Sequence, residues 1–300
     1  MKHVALILTL AMLAASATAD DGKPPSSRQR STGLGVFVNA NGYWSSDNTA
    51  NFYSGRETVP GKKDGNIYRI LTSNTYGHEI WQDLRTDRLI SDAIGSERDF
   101  NIAEFANMYY RLSYQIGIGI RYDYESGFGW LLRFDLAKLR AMGQWNIDAT
   151  NGTGQLGYDR YVPCGITGIE DRINIDFAIT RSIALTNAVD LELDLGASLI
   201  NTKVKDNIIS VNGHTYSILD RWGGRTPDVG VAPYEYINQG GIGYGFFASL
   251  LVGYQVPGIG ALKIGYTCAQ NRIVLENYTA WGWHHSLGVR IEINNFSFIQ

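Results

Sequence analysis

The stretch ANMYYRLSYQIGIGIRYDY, Ala106 to Tyr124, decides the fold. Every second residue from Ala106 is apolar or aromatic: Ala, Met, Tyr, Leu, Tyr, Ile, Ile, Ile, Tyr, Tyr. The others, from Asn107, are Asn, Tyr, Arg, Ser, Gln, Gly, Gly, Arg and Asp. A period of two is the signature of a strand. It leaves open which face meets water. A soluble barrel and a membrane barrel carry the same alternation with opposite sides wet.

Seven further segments alternate in the same way, beginning near Gly33, Phe128, Ile173, Val189, Ile242, Leu262 and Leu287. With the quoted one they make eight strands, an even number. Their links alternate too. Glu125-Ser126-Gly127, Thr186-Asn187-Ala188 and Pro257-Gly258-Ile259-Gly260 are tight. Those spanning 45–104, 147–168 and 206–240 are long, and Asn277 to Ala280 is a short link on the long side. A strand in the Gly65 to Thr75 region would raise the count to ten. A weak apolar stripe at Ile80, Leu84, Leu89 and Ile90 marks a short surface helix around His78 to Ile94.

The polar row decides which side is wet. Water-facing strand positions usually carry Lys, Glu and Thr, whereas this row carries Gly, Ser, Asn, Arg and Asp. Small residues beside opposite charges suit a crowded interior. Arg111, Arg121, Arg133, Arg172 and Arg290 can neutralise Asp123, Asp135, Asp176, Asp194 and Glu292 there. Aromatics gather at strand ends: Tyr122, Tyr124, Phe128 and Trp130 flank one tight turn, and Trp281 and Trp283 open the last strand. Apolar rows about ten residues deep can cross a bilayer at a tilt. The expectation is therefore an all-β chain: a closed, antiparallel, up-and-down transmembrane β-barrel of eight strands, with long extracellular loops. A membrane helix within GIGYGFFASLLVGYQV, from Gly241, falls short of the ~20 residues required.

The chain opens with Lys2 and His3, an apolar run from Val4 to Leu13, and Ala17-Thr18-Ala19. That pattern predicts a signal peptide over 1–19, cut after Ala19. A flexible periplasmic lead-in follows over 20–32, then the barrel over 33–300. The formal charge of −3 argues against nucleic acid as a partner. Cys164, read as a loop residue, and Cys268, read as mid-strand, are taken as unpaired thiols. Neither metal-ligand spacing nor a phosphate-binding glycine loop is present, so no metal or cofactor is expected.

These features resemble small bacterial outer-membrane β-barrel proteins. NIYRILTSN (Asn66 to Asn74), GIEDRINIDFAITRSI (Gly168 to Ile183) and NTKVKDN (Asn201 to Asn207) look like uncharacterised surface barrels of Bacteroidota. The resemblance implies location in the bacterial outer membrane, with outer-membrane lipid, lipopolysaccharide and the barrel-assembly machinery as partners. Phe296 or Phe298 stands in for the terminal aromatic of such barrels. The function implied is non-enzymatic, in envelope structure or contact with an extracellular ligand through the loops, and a narrow passive channel is a further alternative.

One stretch suggests chemistry. In WHHSLG, Trp283 to Gly288, His284 and Ser286 share a strand face, and Glu276 lies upstream. A base, a hydroxyl and an acid are the parts of a nucleophilic hydrolase. The His-x-Ser pair looks a little like that of lipid A deacylases, although Leu287 stands where a polar residue is expected. An omptin-like protease would draw on Asp83, Asp87, Asp206 and His214, which no spacing singles out.

Overall fold

The computed structural model describes residues 33–55, 66–72, 76–86, 101–103, 107–148, 161–186, 188–218, 240–256, 260–275 and 278–293. The expected signal peptide and lead-in, Glu276, Phe296 and Phe298 lie outside them. The strands are β1 (Gly33–Trp44), β2 (Asn101–Ala103), β3 (Tyr109–Tyr110), β4 (Ser113–Asp123), β5 (Phe128–Asp148), β6 (Tyr161–Ala184), β7 (Val189–Val211), β8 (His214–Ser217), β9 (Gly241–Val256), β10 (Gly260–Leu275) and β11 (Tyr278–Ile293). A 3₁₀ helix (Asp47–Ser54) and two α-helices (Asn66–Leu71, Tyr76–Thr86) lie between β1 and β2.

All pairings are antiparallel, and the long strands form a ring of ladders. The order β5-β4-β1-β11-β10-β9-β7-β6 returns to its start through β5 and β6. Phe128↔Arg181 to Asp148↔Tyr161 is the unbroken register of that closing pair. Eight strands make the circuit, while β2 and β3 pair with β5 and β8 pairs with β7. The chain is thus all-β in its framework, up-and-down and hydrogen-bonded in a ring. Among the described residues, no helix is long and apolar enough to cross a membrane, which says nothing of strands.

The ring is inside out by the standards of a water-soluble fold. Ile116, Ile118, Phe134, Leu136, Phe177, Ile179, Leu195, Phe246, Ile264 and Leu287 are exposed on its outer surface. Arg121, Arg133, Asp135, Arg172, Glu192, Asp194, Lys263, Arg290 and Glu292 are buried within.

Three strands exchange a polar inner row for an apolar one halfway along, and β5 and β7 exchange their outer rows as well. β5, β6 and β7 run 21, 24 and 23 residues, against 11 to 16 for the other ring members. Along β5 the outward residues pass from Phe134 and Leu136 to Lys138 and Arg140, while the inward ones pass from Arg133 and Asp135 to Leu139, Ala141, Trp145 and Ile147. Along β6 the inward row changes from Asp176, Asn174, Arg172 and Glu170 to Ile166, Cys164 and Val162. Along β7 it changes from Glu192 and Asp194 to Val204, Ile209 and Val211. The apolar upper faces bury Tyr53 of the 3₁₀ helix, Ile67, Ile70 and Leu71 of the first α-helix, and Ile80, Trp81 and Leu84 of the second. A small water-type core thus sits on top of the ring.

Several expectations change accordingly. Residues 66–71, offered as an extra strand, are helical. The helix expected around His78 to Ile94 is described over Tyr76–Thr86. β5 and β6 extend into the link read over 147–168, so Cys164 is an inward strand residue, not a loop residue. β7 likewise extends past Asp206. The alternation of the opening stretch slips at Arg111-Leu112, between β3 and β4. Met108 and Tyr110 are buried above the slip, and Gln115 and Arg121 below it. Arg111, expected in the lumen, is therefore exposed, its backbone N–H donating to the Arg140 carbonyl at 3.0 Å. The cause is the change of surroundings: the inward face at Met108 meets an apolar core, and the inward face at Arg121 meets charge.

Candidate functional site

The interior carries three tiers of polar groups. The lowest lies near the tight turns. Glu192 of β7 accepts from three cations on three other strands: Arg121 of β4 at 2.5 Å, Arg290 of β11 at 2.6 Å, and Lys263 of β10. Arg121 also meets Glu292 at 2.6 Å and Asp123 at 2.6 Å. Lys263 reaches Glu292 at 2.7 Å, and Arg290 reaches Asp194 at 2.9 Å. These bonds span the bore from wall to wall. Arg290 and Arg133 also lie over the Phe37 and Phe247 rings, at 4.8 and 5.2 Å from Cζ to the ring centroid.

In the middle tier, Arg133 binds Asp176 at 2.5 Å and Asp135 at 2.9 Å. Asn39 and Gln115 each donate to Asp135, at 2.9 and 3.1 Å. Except for Arg111, every charge expected inside belongs to one of these networks or to the upper tier. Glu192, Lys263, Asp190 and Glu170 were not among them. The first three stand on the polar parity of their strands, so alternation alone could have found them. Glu170 lies between the link read over 147–168 and the strand read from Ile173, where no alternation was followed.

The upper tier fastens the 3₁₀ helix to the ring. Arg172 donates to Glu170 at 2.6 Å, to the Ser45 hydroxyl at 2.8 Å and to the Thr49 hydroxyl at 3.1 Å. Tyr53 and Tyr110 both donate to Glu170 Oε2, at 2.5 and 3.1 Å. Burial, and after it the Glu170 carboxylate, pushes the Tyr53 phenol well above the usual tyrosine range, so it remains a donor. Gly168 makes room for this contact, since a Cβ there would lie 2.1 Å from Tyr53 Cγ.

His284 belongs to this tier. It is buried and stacked on Tyr43, with ring centroids 5.9 Å apart. Its Nδ1 faces the Tyr43 hydroxyl at 3.1 Å, the Ser45 hydroxyl at 3.3 Å, the Ser46 N–H at 3.4 Å and Arg172 Nη1 at 3.5 Å. The last two can only donate, which makes Nδ1 an acceptor and assigns the proton to Nε2. A histidine in that tautomer offers Ser286 no base. In the hydrolase arrangement Nδ1 would instead donate to a carboxylate. Ser286 faces inward on the same strand, and no hydrogen bond joins the two among the described residues. Of the loop residues considered for a protease, His214 and Asp83 meet in an exposed pair at 3.2 Å. Asp206 is held by the Asn207 N–H and the Ser217 hydroxyl, and Asp87 lies outside the described residues. Cys164 and Cys268 are both free and buried.

No family model and no curated protein matches the chain. Among solved structures, Neisserial surface protein A is similar over 87% of this chain and 97% of its own, at 11% identity and a TM-score of 0.37. A likeness that distant carries no inference.

Proposed function

We propose that the chain is an eight-stranded outer-membrane β-barrel with a side-chain-filled lumen, acting without catalysis in envelope structure or surface contact. One observation carries this reading: halfway along β5, β6 and β7 the charged inner row gives way to an apolar one, and on β5 and β7 the outer row passes from apolar to polar. An apolar outer face over a charged interior is stable only in lipid, where a ring of ladders satisfies every backbone group. An apolar inner face under a polar exterior is stable only in water. Each tall strand therefore crosses from one solvent to the other, and its upper half stands clear of the bilayer. The tight turns lie on the periplasmic side, and the helices and upper strands form a lobe outside the cell. This reading keeps the resemblance to Bacteroidota surface barrels. Outer-membrane lipid, lipopolysaccharide and the barrel-assembly machinery are its partners, and the lobe is where an extracellular ligand would be met. The three tiers fill the bore, as the narrow interior of an eight-stranded barrel requires, and they count against a passive channel.

Fractionation of the expressing cell tests the reading. The protein should partition with the outer membrane and migrate faster on a gel unheated than boiled. Recovery from the soluble periplasm, with one mobility in both conditions, would reject it.

A further inference from the structure

At the level where polarity reverses, the outer surface is basic. Lys138 and Arg140 follow Leu136 on β5, and Lys203 and Lys205 follow Leu199 and Asn201 on β7. All four are exposed, and so is Arg111, backbone-bonded to Arg140. The register brings them together: Lys138 lies opposite Asp171 of β6, and Asp171 lies opposite Lys203. A register shift at Ile169/Glu170 turns both Lys205 and Asp206 outward, and Lys205 reaches Asp171 at 3.1 Å. Asp206 is occupied by the Asn207 N–H and the Ser217 hydroxyl. Five cations thus surround two acids, and both acids already have partners.

We infer that this patch binds the phosphate groups of an anionic lipid in the outer leaflet. The inference rests on the membrane reading above, which places these side chains one step beyond the lipid-facing row, at headgroup depth. Long cationic side chains there keep their stems on apolar neighbours and their charges among the headgroups. Juxtamembrane cations attract anionic lipid with additive strength. The interior does not compete for the ligand, because its cations are consumed by their own carboxylates. At the opposite end Arg181 is the contrast. It donates to the Ser126 carbonyl at 2.6 Å and covers the Phe128 ring, so it is already engaged.

The test uses the full chain refolded in a zwitterionic detergent. Its probes are bisphosphorylated lipid A and the same lipid with both phosphates removed, titrated by native mass spectrometry. The wild type should retain the phosphorylated form roughly tenfold or more tightly. K138Q/R140Q/K203Q/K205Q should lose that preference, while K138R/K203R/K205R and R181Q should keep it. Equal retention of the two lipids by the wild type overturns the proposal even if the glutamine variant fails to fold. So does an unchanged preference in a folded glutamine variant. Displacement of the lipid by millimolar inorganic phosphate would also overturn it, marking a free-anion site. Heat-dependent gel mobility of the wild type, scored separately, reports on the barrel itself. Its absence rejects the membrane reading rather than the lipid site.

Discussion

Glu192 is the residue on which the lower tier turns. Removing it leaves Arg121, Arg290 and Lys263 short of a shared partner in a closed interior. An unpaired buried charge costs about 3–5 kcal/mol. Glu192→Ala should therefore lower the urea midpoint of the refolded protein sharply, and Arg121→Ala should lower it less, because Lys263 and Arg290 still hold Glu192. Unchanged midpoints at both low and high salt would mean that water reaches this tier. One position on, Leu193 faces outward and Asp194 inward. Leu193→Arg should cost ~2–4 kcal/mol in lipid, more than the isosteric Asp194→Asn; the reverse order in unfolding titrations would reverse the face assignment. Cys164 supplies a pH test in the water-type core. Burial pushes its thiol up to about 12, so the thiolate is scarce near pH 8. In a Cys268→Ser background, alkylation of the folded protein at that pH should be far slower than that of unfolded chain, and equal rates would mean an open upper core. At this scale much was legible. The spacing of Arg121 and Asp123 put both on one face, where they pair at 2.6 Å, whereas another partner, Glu192, stands on a distant strand. The tautomer of His284 was not legible, because its donors come from Ser46 and Arg172, distant in sequence.

Among the elements, those that keep a single phase were the easiest to read. β1, β9, β10 and β11 keep one phase throughout, so alternation located them. β5 and β6 keep their parity, β7 shifts it at Lys205-Asp206, and all three exchange a polar inner row for an apolar one, so a single apolar row followed along the strand ends too early. The opening stretch adds a one-residue slip at Arg111-Leu112, where two successive residues face outward, which hid the inward turn of Tyr110. The hairpin from β7 to β8 carries a local signal of its own. Asn212-Gly213, with φ of 47° and 84°, is the dipeptide that tight hairpins favour. The 3₁₀ helix is held by its contacts rather than by propensity. Gly168→Val would drive a side chain into the Tyr53 ring, so it should make residues 45–104 sensitive to limited proteolysis while leaving heat-dependent mobility intact. Resistance equal to wild type would show that Tyr53 is not the fastening.

For the whole molecule, the three tiers and the core above them close the bore in series. Purified protein in planar bilayers should show no discrete conductance steps, and steps persisting after repurification would identify an open path. The lobe also breaks the symmetry of the ring. β5, β6 and β7 stand side by side and rise above the rest, while β1 and β4 end after 12 and 11 residues. On the membrane reading proposed above, the protein therefore has a front and a back in the plane of the bilayer. A neighbour drifting toward the tall side meets a cationic parapet, and one arriving from β1 meets a low sill bordered by Trp44 and Trp283. Two such molecules in a crowded leaflet are not interchangeable under rotation, and their lateral order would be set by compass bearing as much as by distance.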